Sequence, residues 1–294
     1  MRSFRASGNG ISLRVLEWDA AASAPSLARP RPTVLLLHGF MDAAGTWDRV
    51  APAIAGLGHR VIAPDLRGFG ESDHVPAGGY YHFPDYVADV ARVVEAHVDT
   101  PLVVVGHSMG GTVATLFAGT QPEKLHKLVV IEGIGPPDHP ASAGPVRMRR
   151  WLEDLTRLER ASSKPIKPMS EADALARLKM NHSRISDDVL RSRLPHLARP
   201  SPDGTGLVWR FDPLHRTTAP MPFFAEVFTT FADLVKCPVL YVSGGSLGYR
   251  PPDEAERLAH FENLTKVDLE HSGHMIHWTT PDLLVDELAR FLGE

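Results

Sequence analysis

A serine flanked by glycines is the clearest place for chemistry in this chain. Residues 106–110 read Gly-His-Ser-Met-Gly, directly after the apolar run Leu102–Val105 and directly before a helical pattern. This context predicts a sharp turn between a buried strand and a helix, where glycines avoid collision with the packed elements. The turn would expose the Ser108 hydroxyl at a helix N-terminus, whose free N–H groups favour developing negative charge. Ser108 is therefore the candidate nucleophile.

Serine needs a neighbouring base, and three histidines near the end of the chain are candidates. His271, His274 and His277 follow the apolar run Leu264–Leu269. A loop after the last parallel strand lies at the same sheet edge as the serine turn. His274, which follows a glycine just before the last helix, is favoured. His271 is interpreted as a loop residue and His277 as packing near Trp278. We expect no metal site here, because no cysteine or carboxylate cluster completes the histidines.

Short apolar runs predict the sheet that positions these residues. They are too short for helices and are typical of strands buried on both faces of a parallel sheet: Thr33–Leu37, Arg60–Ala63, Leu102–Val105 and Leu128–Ile131. Phe83–His97 has a helical pattern, and this alternation predicts a mostly parallel, helix-covered sheet. Ile11–Trp18 alternates apolar and polar side chains, which predicts an edge strand with one wet face. Residues 20–32 are rich in Ala, Ser and Pro and predict a surface loop.

The pattern changes between residues 135 and 228. That stretch has no convincing buried strand, but it contains helical patterns such as Val146–Leu158 and Glu171–Lys179. Strands return at Val239–Val242 and Leu264–Leu269, before a final amphipathic helix at Pro281–Leu292. We therefore predict a core formed by residues 1–134 and 229–294, with a mainly helical cap inserted at residues 135–228.

The composition limits the kinds of molecule that this chain is expected to bind. The chain has 294 residues, is 43% hydrophobic and carries a net charge of −4. The absence of a long basic block predicts that it binds neither nucleic acid nor a membrane surface. No apolar run resembles a signal peptide or approaches the roughly 20 residues of a spanning helix, so a cytoplasmic location is expected. The single cysteine, Cys237, is interpreted as core packing.

Four blocks in sequence order resemble the α/β-hydrolase superfamily over essentially the whole chain. They are His-Gly-Phe at 38–40, Asp-Leu-Arg-Gly-Phe-Gly-Glu-Ser at 65–72, the serine turn at 106–110 and Gly-His at 273–274. Within the superfamily the chain is most similar to capped serine hydrolases, including serine-hydrolase-like proteins and esterases, and it is also similar to meta-cleavage hydrolases. The resemblance implies an α/β-hydrolase fold, with a mostly parallel eight-stranded sheet covered by helices and a helical cap. It also implies an oxyanion hole formed by the backbone N–H groups of Phe40 and Met109.

The acid of the catalytic triad departs from the common pattern. In most relatives an aspartate follows the strand after the insertion, but the chain has Leu247 at that position. Glu132 ends the strand before the insertion, where some haloalkane dehalogenases carry the acid, and it preserves the order serine, acid, histidine. We favour Glu132. Asp253 or another late carboxylate, and a site without a full triad, remain alternatives.

The predicted chemistry is hydrolysis of carboxylic esters, lactones or thioesters through an acyl-enzyme, without a cofactor. The alternatives are carbon–carbon hydrolysis of the meta-cleavage type and a non-catalytic ligand-binding protein. Epoxide opening and dehalogenation are disfavoured because those relatives use an aspartate where Ser108 stands. The partner is a small ester-like molecule, and the oligomeric state is left open. Five aromatic residues are predicted to line its pocket: Trp151, Tyr81, Phe223, Phe224 and Trp209.

Overall fold

The computed structural model describes residues 1–21, 30–163 and 167–293. Most of the surface loop predicted at residues 20–32 lies outside these ranges. The strands, in chain order, are β1 (Arg2–Ser7), β2 (Ser12–Trp18), β3 (Val34–Leu37), β4 (Val61–Pro64), β5 (Leu102–His107), β6 (Leu125–Ile131), β7 (Ala198–Pro200), β8 (Leu207–Trp209), β9 (Val239–Ser243) and β10 (Leu264–Asp268).

Eight of these strands form one sheet in the order β1-β2-β4-β3-β5-β6-β9-β10. The pairs β1–β2 and β2–β4 are antiparallel, and every other pair in this sheet is parallel. This arrangement confirms the predicted mostly parallel eight-stranded sheet. The carboxyl ends of β3, β5, β6, β9 and β10 consequently meet at one edge, where the site is built.

The helices in the described residues are α1 (Val50–Gly56), α2 (Phe83–His97), α3 (Met109–Thr120), α4 (Gly144–Ser162), α5 (Glu171–Asn181), α6 (Asp187–Leu197), α7 (Ala225–Ala232), α8 (Glu254–Leu258), α9 (Ile276–Thr279) and α10 (Pro281–Gly293). The helices predicted at Phe83–His97 and Pro281–Leu292 correspond to α2 and α10. None of the helices in the described ranges combines the length and apolar character needed to cross a bilayer.

Helices cover both faces of the sheet. Leu35 and Leu37 of β3 pack in one apolar cluster with residues of α2, α3 and α7. Val34 and Leu36 of the same strand pack in a second cluster with residues of α1 and α10. Because both faces are buried, consecutive residues of each central strand must be apolar, which explains the short continuous runs in the sequence.

The prediction that Ile11–Trp18 forms an edge strand is wrong. The strand β2 pairs with β1 on one side and β4 on the other, so β1 is the edge. Both faces of β2 are also covered, since Leu13 and Val15 join one apolar cluster while Leu16 and Trp18 join the other. The alternation of apolar and polar residues in this segment therefore does not indicate a solvent-exposed face. The strand β1 itself, with mostly exposed side chains, was not predicted.

The segment between β6 and β9 contains α4 to α7 and a short antiparallel ribbon of β7 and β8, which the sequence analysis did not predict. Helices α5 and α6 form an apolar cluster with Ala43, Met275 and Trp278. Arg193 of α6 forms a bidentate ion pair with Asp48, with N–O distances of 2.6 and 2.9 Å. These contacts hold α5 and α6 over the carboxyl edge of the sheet. Helix α7 packs in the core, so the boundary predicted at residue 228 falls inside it.

Candidate active site

Ser108 occupies the turn between β5 and α3. Its backbone has φ 51° and ψ −118°, a strained conformation for a residue with a side chain. The neighbouring glycines are required by close packing, because a Cβ on Gly110 would overlap the backbone carbonyl of Leu37. A strand and a helix packed this tightly leave the Ser108 hydroxyl directed into the space above the sheet, as the motif predicts.

His274 bridges Ser108 and Glu132. Its Nε2 lies 3.0 Å from Oγ of Ser108, and its Nδ1 lies 2.9 Å from Oε2 of Glu132. A carboxylate only accepts hydrogen bonds, so Nδ1 carries the proton and Nε2 presents its lone pair to the serine hydroxyl. This is the tautomer that a base for serine requires. The structure thus brings together the three residues that the sequence analysis selected as nucleophile, base and acid.

The carboxylate of Glu132 is almost completely buried, with 1% of the residue exposed. Its Oε1 accepts a hydrogen bond of 2.5 Å from the N–H of Gly244, and its Oε2 accepts one of 2.5 Å from the N–H of Tyr249. With the Nδ1–H of His274, three donors replace water around the charge. Burial of a carboxylate is costly unless such donors are supplied.

The loop that carries the acid in most relatives has a different role here. The segment 244–249 has no carboxylate, and Leu247, at the expected position, is 37% exposed. Its backbone instead wraps the carboxylate of Glu132. The alternative acid, Asp253, accepts a hydrogen bond of 2.8 Å from Nε of Arg257, whose guanidinium also donates to the carbonyl of Ile134. Asp253 is therefore engaged in supporting a buried arginine.

Phe40 and Met109, whose backbone N–H groups are the predicted oxyanion donors, both line the same cavity as Ser108. Met109 follows the serine directly, and the loop after β3 approaches so closely that a Cβ on Gly39 would lie 3.2 Å from Cβ of Ser108. Neither N–H donates a hydrogen bond to any atom within residues 1–21, 30–163 and 167–293. Two free donors beside a nucleophile suit the stabilisation of an oxyanion.

A cavity of about 610 Å³ opens above Ser108 and His274. Of the aromatic residues predicted to line the pocket, Tyr81 and Phe223 do so. The structure corrects the other three. Trp151 packs edge-on against Tyr80, with ring centroids 5.6 Å apart, and so lies behind the wall. Trp209 lines a separate, smaller cavity, and Phe224 precedes α7 outside the lining.

Several residues of the cavity wall were not among the predicted site residues. Leu214, His215 and Thr217 come from one short segment, and Tyr249 contributes both the N–H that holds Glu132 and a ring whose centroid lies 6.0 Å from that of His274. In the sequence, Tyr249 follows a glycine-rich turn that lacks the expected acid, and this position is the feature that could have identified it as a site residue. The wall segment at 214–217 carries no motif, so only the packing of the cap identifies it.

Behind His274 lies a group of buried polar side chains. Potential ligand atoms of Asp42, His107 and His277 all lie within 4.8 Å of one another, an arrangement that could suit a cation. Asp42, however, already accepts hydrogen bonds from Nε2 of His277 at 3.0 Å and from Oγ1 of Thr46 at 2.8 Å. We interpret the group as a hydrogen-bonded support. His277 thus pairs with Asp42 in addition to packing against Trp278, whose ring centroid is 5.8 Å away.

Comparisons with known proteins agree with this fold. A family model described as alpha/beta hydrolase fold matches residues 32–281. A serine hydrolase-like protein of Danio rerio is 35% identical over 173 residues, which are 58% of this chain and 52% of that protein, so the match spans about half of its length. A probable serine hydrolase of Drosophila melanogaster is 26% identical over 275 residues, covering 91% of this chain and 82% of that protein. Among solved structures, a hypothetical protein of Pseudomonas aeruginosa PAO1 has a TM-score of 0.84 and 25% identity, with 100% of both chains covered.

Proposed function

We propose that this chain, which belongs to the alpha/beta hydrolase fold family, hydrolyses carboxylic esters through a covalent acyl-enzyme. The observation that carries the proposal is the continuous hydrogen-bonded line from Oγ of Ser108 through His274 to Glu132, with distances of 3.0 and 2.9 Å. This line ends in a cavity large enough for a small organic molecule.

In the first step Oγ of Ser108 attacks the ester carbonyl carbon. The new C–O bond forms while the hydroxyl proton moves to Nε2 of His274, and the carbonyl electron pair moves onto its oxygen. The N–H groups of Phe40 and Met109 stabilise that oxyanion. Loss of one such donor typically costs about 3–4 kcal/mol of transition-state stabilisation. Collapse of the intermediate breaks the ester C–O bond, and the departing alcohol takes the proton from Nε2.

A water molecule then reverses the roles. His274 removes a proton from the water as it attacks the acyl carbon, and the second collapse returns the proton to Oγ of Ser108. Glu132 remains ionised throughout. Its carboxylate keeps the imidazole in the required tautomer and stabilises the imidazolium that forms in each step. Lactones and thioesters pass through the same kind of tetrahedral intermediate, so they are included in the proposed substrate class.

Fluorophosphonate labelling tests the proposal directly, because the probe forms a covalent bond only with an activated serine. We expect labelling of Ser108, located by peptide mapping, together with hydrolysis of p-nitrophenyl butyrate. Ser108→Ala should lose both, whereas Ser246→Ala, at an exposed serine near the site, should keep both. Folded protein that neither labels nor hydrolyses any member of an ester, lactone and thioester panel would overturn the proposal in favour of a ligand-binding protein.

A further inference from the structure

Arg147 is the sole arginine or lysine that lines the cavity above Ser108 in the described residues. Its Nε donates a hydrogen bond of 3.1 Å to the backbone carbonyl of Ala219. No carboxylate of the described ranges lies within the 4.0 Å of an ion pair with its guanidinium. A full positive charge therefore faces this cavity without a protein counter-ion.

The rest of the cavity wall does not neutralise that charge. Glu132 is the single carboxylate among the lining residues, and its oxygens are already occupied by Gly244, Tyr249 and His274. Most of the wall is aromatic or aliphatic. Water is displaced from such a cavity when a ligand binds, and charge interactions strengthen where water is excluded.

The arrangement gives the cavity two chemically different parts. Ser108 and His274 lie at the sheet edge, while Arg147 lies in the first turn of α4. Near Arg147 is Tyr80, whose hydroxyl shares a hydrogen bond of 2.6 Å with Oγ1 of Thr217. Burial raises the pKa of Tyr80, and the positive charge of Arg147 works against that rise, as expected for neighbouring groups.

Arg147 ties its helix to the rest of the described chain through a single hydrogen bond, from Nε to the carbonyl of Ala219. Helix α4 has no buried residue, and the bond to Ala219 uses Nε and leaves both terminal nitrogens of the guanidinium without a partner in the described chain. A guanidinium with free terminal N–H groups matches the two oxygens of a carboxylate.

We propose that Arg147 binds a carboxylate group of the substrate, so that the preferred substrates are esters carrying a second, ionised carboxyl group away from the scissile bond. This inference rests on the proposed ester hydrolysis and adds its substrate class. Arg147 acts as a specificity residue, since it contacts the remote charge and takes no part in proton transfer.

Two matched substrate pairs test the inference and locate the charge. The first compares mono-p-nitrophenyl glutarate with p-nitrophenyl pentanoate, which places the carboxylate on the acyl side. The second compares p-carboxyphenyl butyrate with phenyl butyrate, which places it on the alcohol side. We expect kcat/KM to favour the charged member of at least one pair, and the preference to weaken as NaCl rises from about 0.05 to about 0.5 M.

Arg147→Gln should lower kcat/KM for the charged ester about tenfold, mainly through KM, and leave its neutral partner unchanged. Arg149→Gln, on the exposed surface of the same helix, should leave both unchanged. Equal rates for charged and neutral esters in both pairs, or an equal effect of Arg147→Gln on both members, would overturn the inference while leaving ester hydrolysis intact.

If no ester is hydrolysed, the proposed function fails, and binding then tests the subsite by itself. Glutarate binding to the wild-type protein and to Arg147→Gln is measured by calorimetry. Weaker binding to the variant supports the carboxylate site. Equal binding, or none to either protein, overturns it.

Discussion

The Nε2–H of His107 donates a hydrogen bond of 2.8 Å to the backbone carbonyl of His274. His107 is the last residue of β5 and is 1% exposed, so the residue beside Ser108 supports the backbone of His274. Burial is the main cause that lowers the pKa of His107 well below its ordinary value. His107 therefore stays neutral and acts as a positioning donor.

Removal of this donor should lower turnover without weakening substrate binding. We expect His107→Leu to reduce kcat roughly a hundredfold with little change in KM, because small displacements of a base are costly. His107→Gln, whose amide can still donate to the same carbonyl, should recover much of the loss. Steady-state kinetics with p-nitrophenyl butyrate measures both effects. Wild-type kcat in His107→Leu would show that the contact has no part in positioning His274.

Glu132→Gln should identify the triad acid. We expect kcat to fall by a factor on the order of 10⁴, because the amide no longer stabilises the imidazolium of His274. The amide nitrogen would also face one of the N–H donors of Gly244 and Tyr249, so some stability is lost. Rates are therefore compared at a temperature well below the Tm of the variant.

Asp253→Asn is the matched control for that variant, since Asp253 was the competing assignment. It should lower Tm, because it weakens the ion pair with the buried Arg257, and leave kcat close to that of the wild type. The opposite result, with Asp253→Asn inactive and Glu132→Gln active, would transfer the acid role to the later carboxylate.

A single methyl group on Gly248 should disable the site. The backbone of Gly248 has φ −77°, which any residue can adopt, but a Cβ there would overlap Oε1 of Glu132. We expect Gly248→Ala to push the carboxylate away from His274 and reduce kcat by about 10²-fold. Gly56→Ala, in a helix position with no atom within 4 Å of the added Cβ, serves as control. Wild-type kcat in Gly248→Ala would mean that activity does not depend on the position of the Glu132 carboxylate.

Stability should decrease as the pH falls below neutrality. His215 is stacked between the rings of Phe69 and Tyr81, with centroid distances of 4.0 and 3.9 Å, and burial lowers its pKa to about 3. In the unfolded chain His215 takes up a proton near pH 6.5, whereas in the folded protein it does so only near pH 3. The part of the free energy of unfolding that depends on neutral His215 is therefore complete above pH 6.5 and is lost as the pH falls toward 3.

The loss from His215 amounts to about 2 kcal/mol of the free energy of unfolding between pH 7 and pH 5. Guanidinium denaturation of the wild type and of His215→Phe at both values measures it, and the variant should show the smaller decrease. His271→Gln, at an exposed histidine that is not among the groups shifting the pKa of His215, should follow the wild type. Identical pH dependence in wild type and His215→Phe would mean that His215 is protonated in the folded protein.

Local sequence predicted the features that depend on local geometry. The serine turn followed from small residues between an apolar run and a helical pattern, because strand, turn and helix are consecutive in the chain. The parallel sheet followed from short apolar runs, since both faces of a central strand are buried. The edge position of Ile11–Trp18 was mispredicted because pairing with β1 and β4 depends on segments elsewhere in the chain.

The lining of the pocket also could not be predicted from local sequence. Trp151 and Tyr80 are both aromatic, yet Tyr80 lines the cavity and Trp151 packs behind it. Aromatic character predicts burial, but the side on which a ring lies depends on how the cap packs over the sheet. That Arg147 has no ion-pair partner among the described residues likewise depends on which carboxylates the fold leaves out of its reach.

By itself, the sequence determined a candidate nucleophile, Ser108, a candidate base, His274, and the sheet that carries them, because the glycine and apolar patterns that specify these features are local. Only the tertiary structure decided which carboxylate meets the imidazole. Glu132 and His274 are separated by 142 positions, and the N–H groups that hold the carboxylate come from a loop without a motif. Hydrogen bonds between such distant segments exist only after the chain has packed.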